Sequence, residues 1–264
     1  MTDSHCHLAS SQFLADADAV VFRAREAGVS RILVPSTDLD DAPRALALAE
    51  RHDGVFVAVG IHPCDVLDLP DDAWRDRVEA WSRHAKVVAI GECGLDYFHA
   101  PPGGIGWDAY KARQASVFRA QLDLAEARGL PVVVHHRGSG CWADVVAMVR
   151  EKEGRVKAQF HCYLGAWEEA APLVAEGHRI SFTGVVTYKN AGEAAACAAA
   201  AADGSFFLET DAPYLAPVPH RGKRCEPAMV ADTAAFVAAR RGITAEALAG
   251  MTDAAVRSFF PRMG

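Results

Sequence analysis

Eight short runs rich in Val, Ile, Leu and Phe recur along the chain, separated by longer alanine-rich amphipathic stretches. This alternation constrains the fold most, because a parallel sheet wrapped by helices buries both kinds of segment at once. The apolar runs predict strands at Met1–His5, Arg31–Pro35, Val55–Ile61, Lys86–Gly91, Pro131–Val134, Val156–Phe160, Arg179–Phe182 and Ser205–Leu208. Helices are expected at Ser11–Ala27, Asp41–His52, Asp71–His84, Trp107–Arg128, Ser139–Glu153, Ala166–Glu176 and Asn190–Ala202, with two more at Pro227–Arg241 and Thr244–Phe260. Gly28, Gly129, Gly154 and Gly177 follow helical runs as stop signals. An open doubly wound sheet shows the same alternation. The count of eight favours closure into a (β/α)8 TIM barrel, a fold that typically takes about 250 residues.

The expected organisation is therefore one α/β domain over residues 1–264. No repeat or linker marks a second unit, and the Pro/Gly-rich loop His99–Gly106 follows a strand end and is expected at the barrel rim. The longest alanine run, Ala194–Ala202, is flanked by Glu193 and Asp203 and falls short of the roughly 20 apolar residues that a membrane-spanning helix needs. The opening MTDSHCHLAS lacks the basic-then-apolar order of a secretory signal. Seven scattered cysteines without CxxC pairs suit reduced thiols, so a cytoplasmic location is expected. Cys6, Cys93 and Cys162 sit beside candidate ligands and are read as packing residues, Cys6 facing away from its two histidine neighbours. A net charge of -7 excludes a broad basic face for duplex DNA, so any nucleic-acid contact must be local.

His5 and His7, two apart at the end of the first strand, share one face and could grip one metal ion. A lone histidine is more often structural than ligating, and this pair alone would decide little. The weight comes from position: His62, Glu92, His135, His161 and Asp211 follow the third, fourth, fifth, sixth and eighth strands. Singly, Glu92 reads as a helix-start carboxylate, His161 as a core histidine and Asp211 as a turn cap. Together, a row of ligand types at the carboxyl ends of separate strands converges only when the sheet closes, on the face where barrels carry active sites. His62 precedes Pro63 in a loop and is a near-site candidate, whereas His136 points opposite to His135 and is read as structural. Glu209 shares a face with Asp211 and could hold a ligand in place. His99, His178 and His220 show no ligand-like context.

With these residues in place, the chain resembles the TatD family of metal-dependent deoxyribonucleases, within the wider amidohydrolase-like barrels. The matching segments are Asp3–Leu8 (DSHCHL), Val59–Pro63 (VGIHP), Ala89–Phe98 (AIGECGLDYF), Gln121–Arg137 (QLDLAEARGLPVVVHHR), Phe160–Gly165 (FHCYLG), Thr183–Ala191 (TGVVTYKNA), Leu208–Pro217 (LETDAPYLAP) and Arg221–Pro227 (RGKRCEP). The resemblance implies that His5, His7 and Asp211 hold one divalent ion, that His135 and His161 hold a second, and that Glu92 bridges them. It further implies hydrolysis of phosphodiester bonds with magnesium or manganese, as a 3'-to-5' exonuclease on single-stranded DNA. The chain departs from the family pattern at Ala9, His136, Leu164, Cys225 and Ala255, none of them a ligand. Leu164 and Cys225 are expected in loops bordering the pocket, where they bear on substrate preference.

Two-metal hydrolysis places ions about 3.5–4 Å apart on the reacting group. Asp211 would take the proton of the attacking water, and His62 would serve the leaving oxygen. Four imidazoles suit zinc or manganese, so zinc is a further candidate beside magnesium. Arg137, Arg221 and Lys223, with Arg224 beside them, are candidate phosphate contacts, although a solvated charged loop reads the same way. Tyr97, Phe98 and Tyr214 could stack on bases or equally pack in the core. The same ligands would serve an esterase or amidase, including an aminoacyl-tRNA deacylase, and a non-catalytic barrel stabilised by its metals is a more distant alternative. No membrane contact and no obligate protein partner are expected.

Overall fold

The computed structural model describes residues 1–69 and 73–264. Eight parallel strands alternate with helices. In order they are β1 (Thr2–Asp3), α1 (Ala17–Glu26), β2 (Arg31–Pro35), α2 (Asp41–Arg51), β3 (Val55–Val59), α3 (Ala73–Ser82), β4 (Val87–Asp96), α4 (Trp107–Arg128) and β5 (Val132–Arg137). They continue as α5 (Cys141–Arg150), β6 (Ala158–Phe160), α6 (Trp167–Ala175), β7 (Arg179–Phe182), α7 (Gly192–Ala200), β8 (Phe206–Leu208), α8 (Val230–Arg241) and α9 (Ala245–Phe259). Each strand pairs with the next in parallel register. The ring is drawn together between its first and last segments, where Ser4 N–H donates to Leu208 O (3.1 Å) and Asp211 N–H to His5 O (2.9 Å). Among the described residues, no helix is long and apolar enough to cross a membrane.

Several boundaries differ from expectation, and two of them matter for function. β4 does not stop at Gly91 but runs to Asp96, and β5 extends through His135 and His136 to Arg137. The cause is continued pairing: after a register shift, Cys93, Gly94, Leu95 and Asp96 lie opposite Val134, His135, His136 and Arg137. The two strands approach so closely that a Cβ on Gly91 would lie 2.5 Å from Val133 O, and one on Gly94 only 2.1 Å from His135 O. Both glycines also take positive φ, 134° and 140°, which side-chain-bearing residues rarely adopt. β1 is shorter than expected, and the first helical segment splits into a 3-10 turn at Ser11–Phe13 followed by α1. The start of the expected Asp71–His84 helix lies outside the described residues.

Alternation along the strands sorts the interior into layers. At the amino-terminal end Leu33, Ala58, Val133 and Phe207 pack against Val256, Phe260 and Met263 of α9 and the terminal turn, giving a closed apolar floor. Above it lies a polar layer. The side-chain amide of Gln159 donates to Ser4 Oγ (3.1 Å), Ser181 Oγ (3.0 Å) and Glu209 Oε2 (3.2 Å), while Ser181 Oγ donates to the same carboxylate at 2.7 Å. The outward faces of the strands and the inner faces of the helices form the larger apolar shell, which includes Cys6 and Cys93.

Candidate metal centre

The top layer gathers residues from both halves of the chain. His5 and His7 rise from the segment after β1, Glu92 from within β4, His135 from β5, His161 from just beyond β6, and Asp211 from beyond β8. His5 Nε2 lies 3.1 Å from His7 Nε2, and both face Glu92 Oε2 at 3.3 and 3.4 Å. Asp211 Oδ1 completes this group, 3.7 Å from His5 and 3.3 Å from His7. The other oxygen of Glu92, Oε1, faces His161 Nε2 at 2.9 Å and His135 Nδ1 at 3.0 Å. One carboxylate thus divides its two oxygens between two sets of imidazoles.

These spacings test whether a metal fits. Donor atoms about 2.0–2.2 Å from a tetrahedral ion lie roughly 3.3–3.6 Å from one another. The separations among His5, His7 and Glu92, 3.1, 3.3 and 3.4 Å, lie close to that value, so these donors suit a divalent ion, and Asp211 stands 3.3 Å from His7 beside them. Without a cation the same atoms repel or share protons. Burial raises the Glu92 carboxyl, but His161, His5 and His62 outweigh it and hold Glu92 well below the usual carboxylate range. Burial likewise opposes charge on His161, yet Glu92 and Glu209 drive its pKa well above that of a free histidine. Asp211 stays low because the hydrogen bond to His7 and the charge of His161 overcome its burial. An ion entering here would replace protons that the buried carboxylates otherwise draw onto the histidines.

Surrounding groups orient the ligands. Asp96 Oδ2 lies 2.9 Å from His135 Nε2, which points Nδ1 of that ring toward Glu92. Its place at the end of the extended β4 puts it on the same face as Glu92. Expecting that strand to end at Gly91 hid this residue, although it stands inside the GLDYF segment. Glu209 is fully buried, accepts the Cys162 N–H at 2.6 Å and lies 3.7 Å from His161 Nδ1. His5 and His161 stack with ring centroids 3.9 Å apart and planes 9° from parallel. His62 Nδ1 accepts the Cys64 N–H at 3.1 Å, so Nε2 carries the proton and His62 presents a donor. Burial and the neighbouring His135 depress its pKa to about 3 and keep the ring neutral.

The centre opens into a cleft of about 840 Å³ whose lining includes Arg44, Arg137, His99, His136, Cys162, Leu164 and Tyr214. Arg137 reaches this lining with its guanidinium 4.3 Å from the exposed ring of Phe98. Arg221 and Lys223 are not among the residues lining it, and Arg221 lies over the Tyr188 ring at 4.3 Å. Arg224 is drawn into ion pairs with Asp16 (2.7 Å) and Glu226 (3.1 Å). Arg44, whose Nε donates to Ala9 O at 3.1 Å, lines the cleft instead, and its place in a regular helix had disguised it. Tyr97 is held by Asp144 at 2.8 Å, and Cys225 is buried rather than bordering the cleft. Cys162, read as packing, lines the cleft. His136 packs among Trp142, Phe160 and Tyr163.

Residues 2–261 match the family model of TatD-related DNases. The metal-dependent hydrolase YabD of Bacillus subtilis (strain 168), itself uncharacterized, is 35% identical over 98% of this chain and 98% of its own. A protein of Enterobacter lignolyticus (strain SCF1) named 3'-5' ssDNA/RNA exonuclease TatD is 36% identical over 98% of each chain. The crystal structure of YjjV, a TatD homologue from Escherichia coli K12, superposes with a TM-score of 0.87 at 31% identity, covering 99% of this chain and 98% of that one. Barrel, histidine–carboxylate cluster and full-length matches agree: this chain belongs to the TatD-related DNase family of metal-dependent hydrolases.

Proposed function

We propose that the chain removes nucleotides from the 3' end of single-stranded DNA, with two divalent ions held in the histidine–carboxylate cluster. The observation that carries this reading is the division of Glu92 between His5 and His7 on one side and His135 and His161 on the other. When bound, the ions supply Lewis acidity to the scissile phosphate and lower the pKa of the attacking water. His5, His7 and Asp211 would hold one, His135 and His161 the other, and Glu92 both. The relative named as a single-stranded DNA and RNA exonuclease supports the substrate class.

The protein's own groups divide the remaining work. Asp211, whose pKa is lowered and which lies 3.3 Å from His7, would accept the proton of the attacking water. His62 is neutral and protonated on Nε2, which suits hydrogen bonding to the leaving oxygen. Glu209 steadies the His161 segment through the Cys162 amide. Arg137 sits where a phosphate of the bound strand would meet a guanidinium, with Tyr214 offering a stacking surface on the same rim. Arg221 and Lys223 lie farther out and would meet only a longer strand. Magnesium or manganese is proposed as the working ion, with zinc a candidate in isolated protein. The seven free cysteines suit the reducing cytoplasm.

The test is digestion of end-labelled single-stranded DNA and RNA by metal-stripped protein with magnesium, manganese or zinc restored, alongside Glu92→Ala. Metal-dependent shortening from the 3' end that vanishes in the variant is expected. No cleavage with any ion would overturn the nuclease reading and leave ester and amide substrates, aminoacyl-tRNA among them.

A further inference from the structure

A second group of ligand-type side chains lies just outside the cluster. Cys64 stands in the short turn after β3, Asp96 at the end of β4, and His99 in the loop beyond it. Their ligating atoms all lie within 4.8 Å of one another. Cys64 Sγ is 3.8 Å from His99 Nδ1, and His99 Nδ1 is 2.9 Å from Asp96 Oδ2. Around a tetrahedral ion with metal–sulfur near 2.3 Å and metal–nitrogen or metal–oxygen near 2.0–2.2 Å, the corresponding spacings are roughly 3.6 and 3.4 Å. Both contacts are within about half an ångström of that geometry, and the half-exposed His99 ring has room to make the adjustment.

Asp96 is the fixed member of this group. It is fully buried, and its Oδ1 is occupied by the N–H groups of Phe98 (2.9 Å) and His99 (2.8 Å). Oδ2 is thereby aimed between His99 Nδ1 and His135 Nε2, 2.9 Å from each. We propose that Cys64, Asp96 and His99 form a third metal site, separate from the inner cluster and selective for a thiophilic divalent ion such as zinc or cobalt(II). A thiolate, an imidazole and one carboxylate favour those ions over magnesium or calcium, which prefer oxygen shells. The remaining coordination positions would take water or a phosphate oxygen of a strand in the cleft, which His99 also lines. Because Asp96 also holds His135, filling the outer site would be felt by the inner one.

The test is titration of metal-stripped protein with cobalt(II), following the sulfur-to-cobalt charge-transfer absorption, which reports a thiolate ligand independently of turnover. The wild-type chain should develop this band. Cys64→Ser should abolish it and lower the cobalt stoichiometry by one equivalent, with the inner equivalents retained. His99→Ala, which keeps the thiol, should weaken the band's apparent affinity on the order of 10-fold or more, the scale on which loss of a group supporting a metal is felt. Cys162→Ser and Glu92→Gln should both retain the band. Its absence at cobalt saturation, its persistence in Cys64→Ser, or its loss in Cys162→Ser would each overturn the proposal. The absorption band is read without turnover, so failure of this proposal and failure of the nuclease reading are distinguishable.

Discussion

At the amino-terminal end of the barrel, His178 is buried with Nδ1 accepting the amide of Ala158 at 3.0 Å, and burial with the nearby Lys157 lowers its pKa to about 4. At the opposite end, His5, His7, His135 and His161 are also largely enclosed but face the carboxylates of Glu92, Asp96 and Asp211. The lower histidine has its acceptor matched by a backbone donor. The upper histidines are matched with one another and with carboxylates that a cation would satisfy better. Floor and rim share one strand framework. The floor uses its interior positions for packing, whereas the rim uses the same alternating positions for histidines and carboxylates. Stability and chemistry should therefore separate by height along the barrel.

The sharpest test of that separation is Glu92→Gln. Activity should fall on the order of 10⁴-fold, equivalent to about 5 kcal/mol of barrier at 1.36 kcal/mol per factor of ten. Thermal unfolding of the metal-free protein should show only a modestly lowered midpoint, because the neighbouring histidines can lose the protons that the Glu92 carboxylate holds on them. A midpoint lowered as far as by a floor substitution would break the contrast. Phe207→Ala should do the reverse, costing about 3–5 kcal/mol in denaturant unfolding through the cavity it leaves. Turnover per folded molecule should be retained, and a matching collapse of kcat would show that floor and rim are coupled.

Histidine protonation sharpens the comparison further. The folded pKa of His178 lies below its unfolded value of 6.5, so between those values the unfolded chain binds the extra proton. Its contribution is present above about pH 6.5, declines as pH falls, and is fully lost below about pH 4, a change of about 3 kcal/mol at 1.36 kcal/mol per pKa unit. Unfolding measured from pH 7 to 4 should show this slope, and His178→Asn, which keeps an acceptor without titrating, should flatten it. An unaltered slope would assign the pH dependence to the other histidines whose pKa is lowered, His5, His62 and His136. The smallest effect is expected at Arg137→Ala, a loss of about 1–2 kcal/mol of substrate binding read as a raised KM with kcat nearly constant. Loss of kcat alone would place Arg137 in the chemistry.

Much of this contrast is legible along the chain. His5, His7, Glu92, His135, His161 and Asp211 could be picked out because strand ends are marked by apolar runs, and polar ligand types at those ends stand apart from their surroundings. Arg221 and Lys223 looked equivalent to Arg137 in sequence, but charge alone does not say which way a loop side chain turns. Arg137 extends from β5 into the cleft region, whereas Arg221 folds over Tyr188 and Arg224 is held by Asp16 and Glu226. Asp96 escaped notice, and His99 showed no ligand-like context, for another reason. The continuation of β4 past Gly91 depends on its pairing with β5, a contact between segments about 40 residues apart that no local pattern records.

Apolar periodicity specified eight alternating strands and helices, because burial of alternating faces is a local property that repeats, and the count of eight with ligand types at the strand ends favoured a barrel with a histidine–carboxylate centre. The division of the Glu92 oxygens, the tautomer of His62, the placing of Asp96 between His135 and His99, and the choice of Arg137 over Arg221 depended on tertiary structure. Each turns on a distance of a few ångströms between side chains from different strands and loops. Hydrogen bonding and electrostatics select among such arrangements only after the sheet has closed.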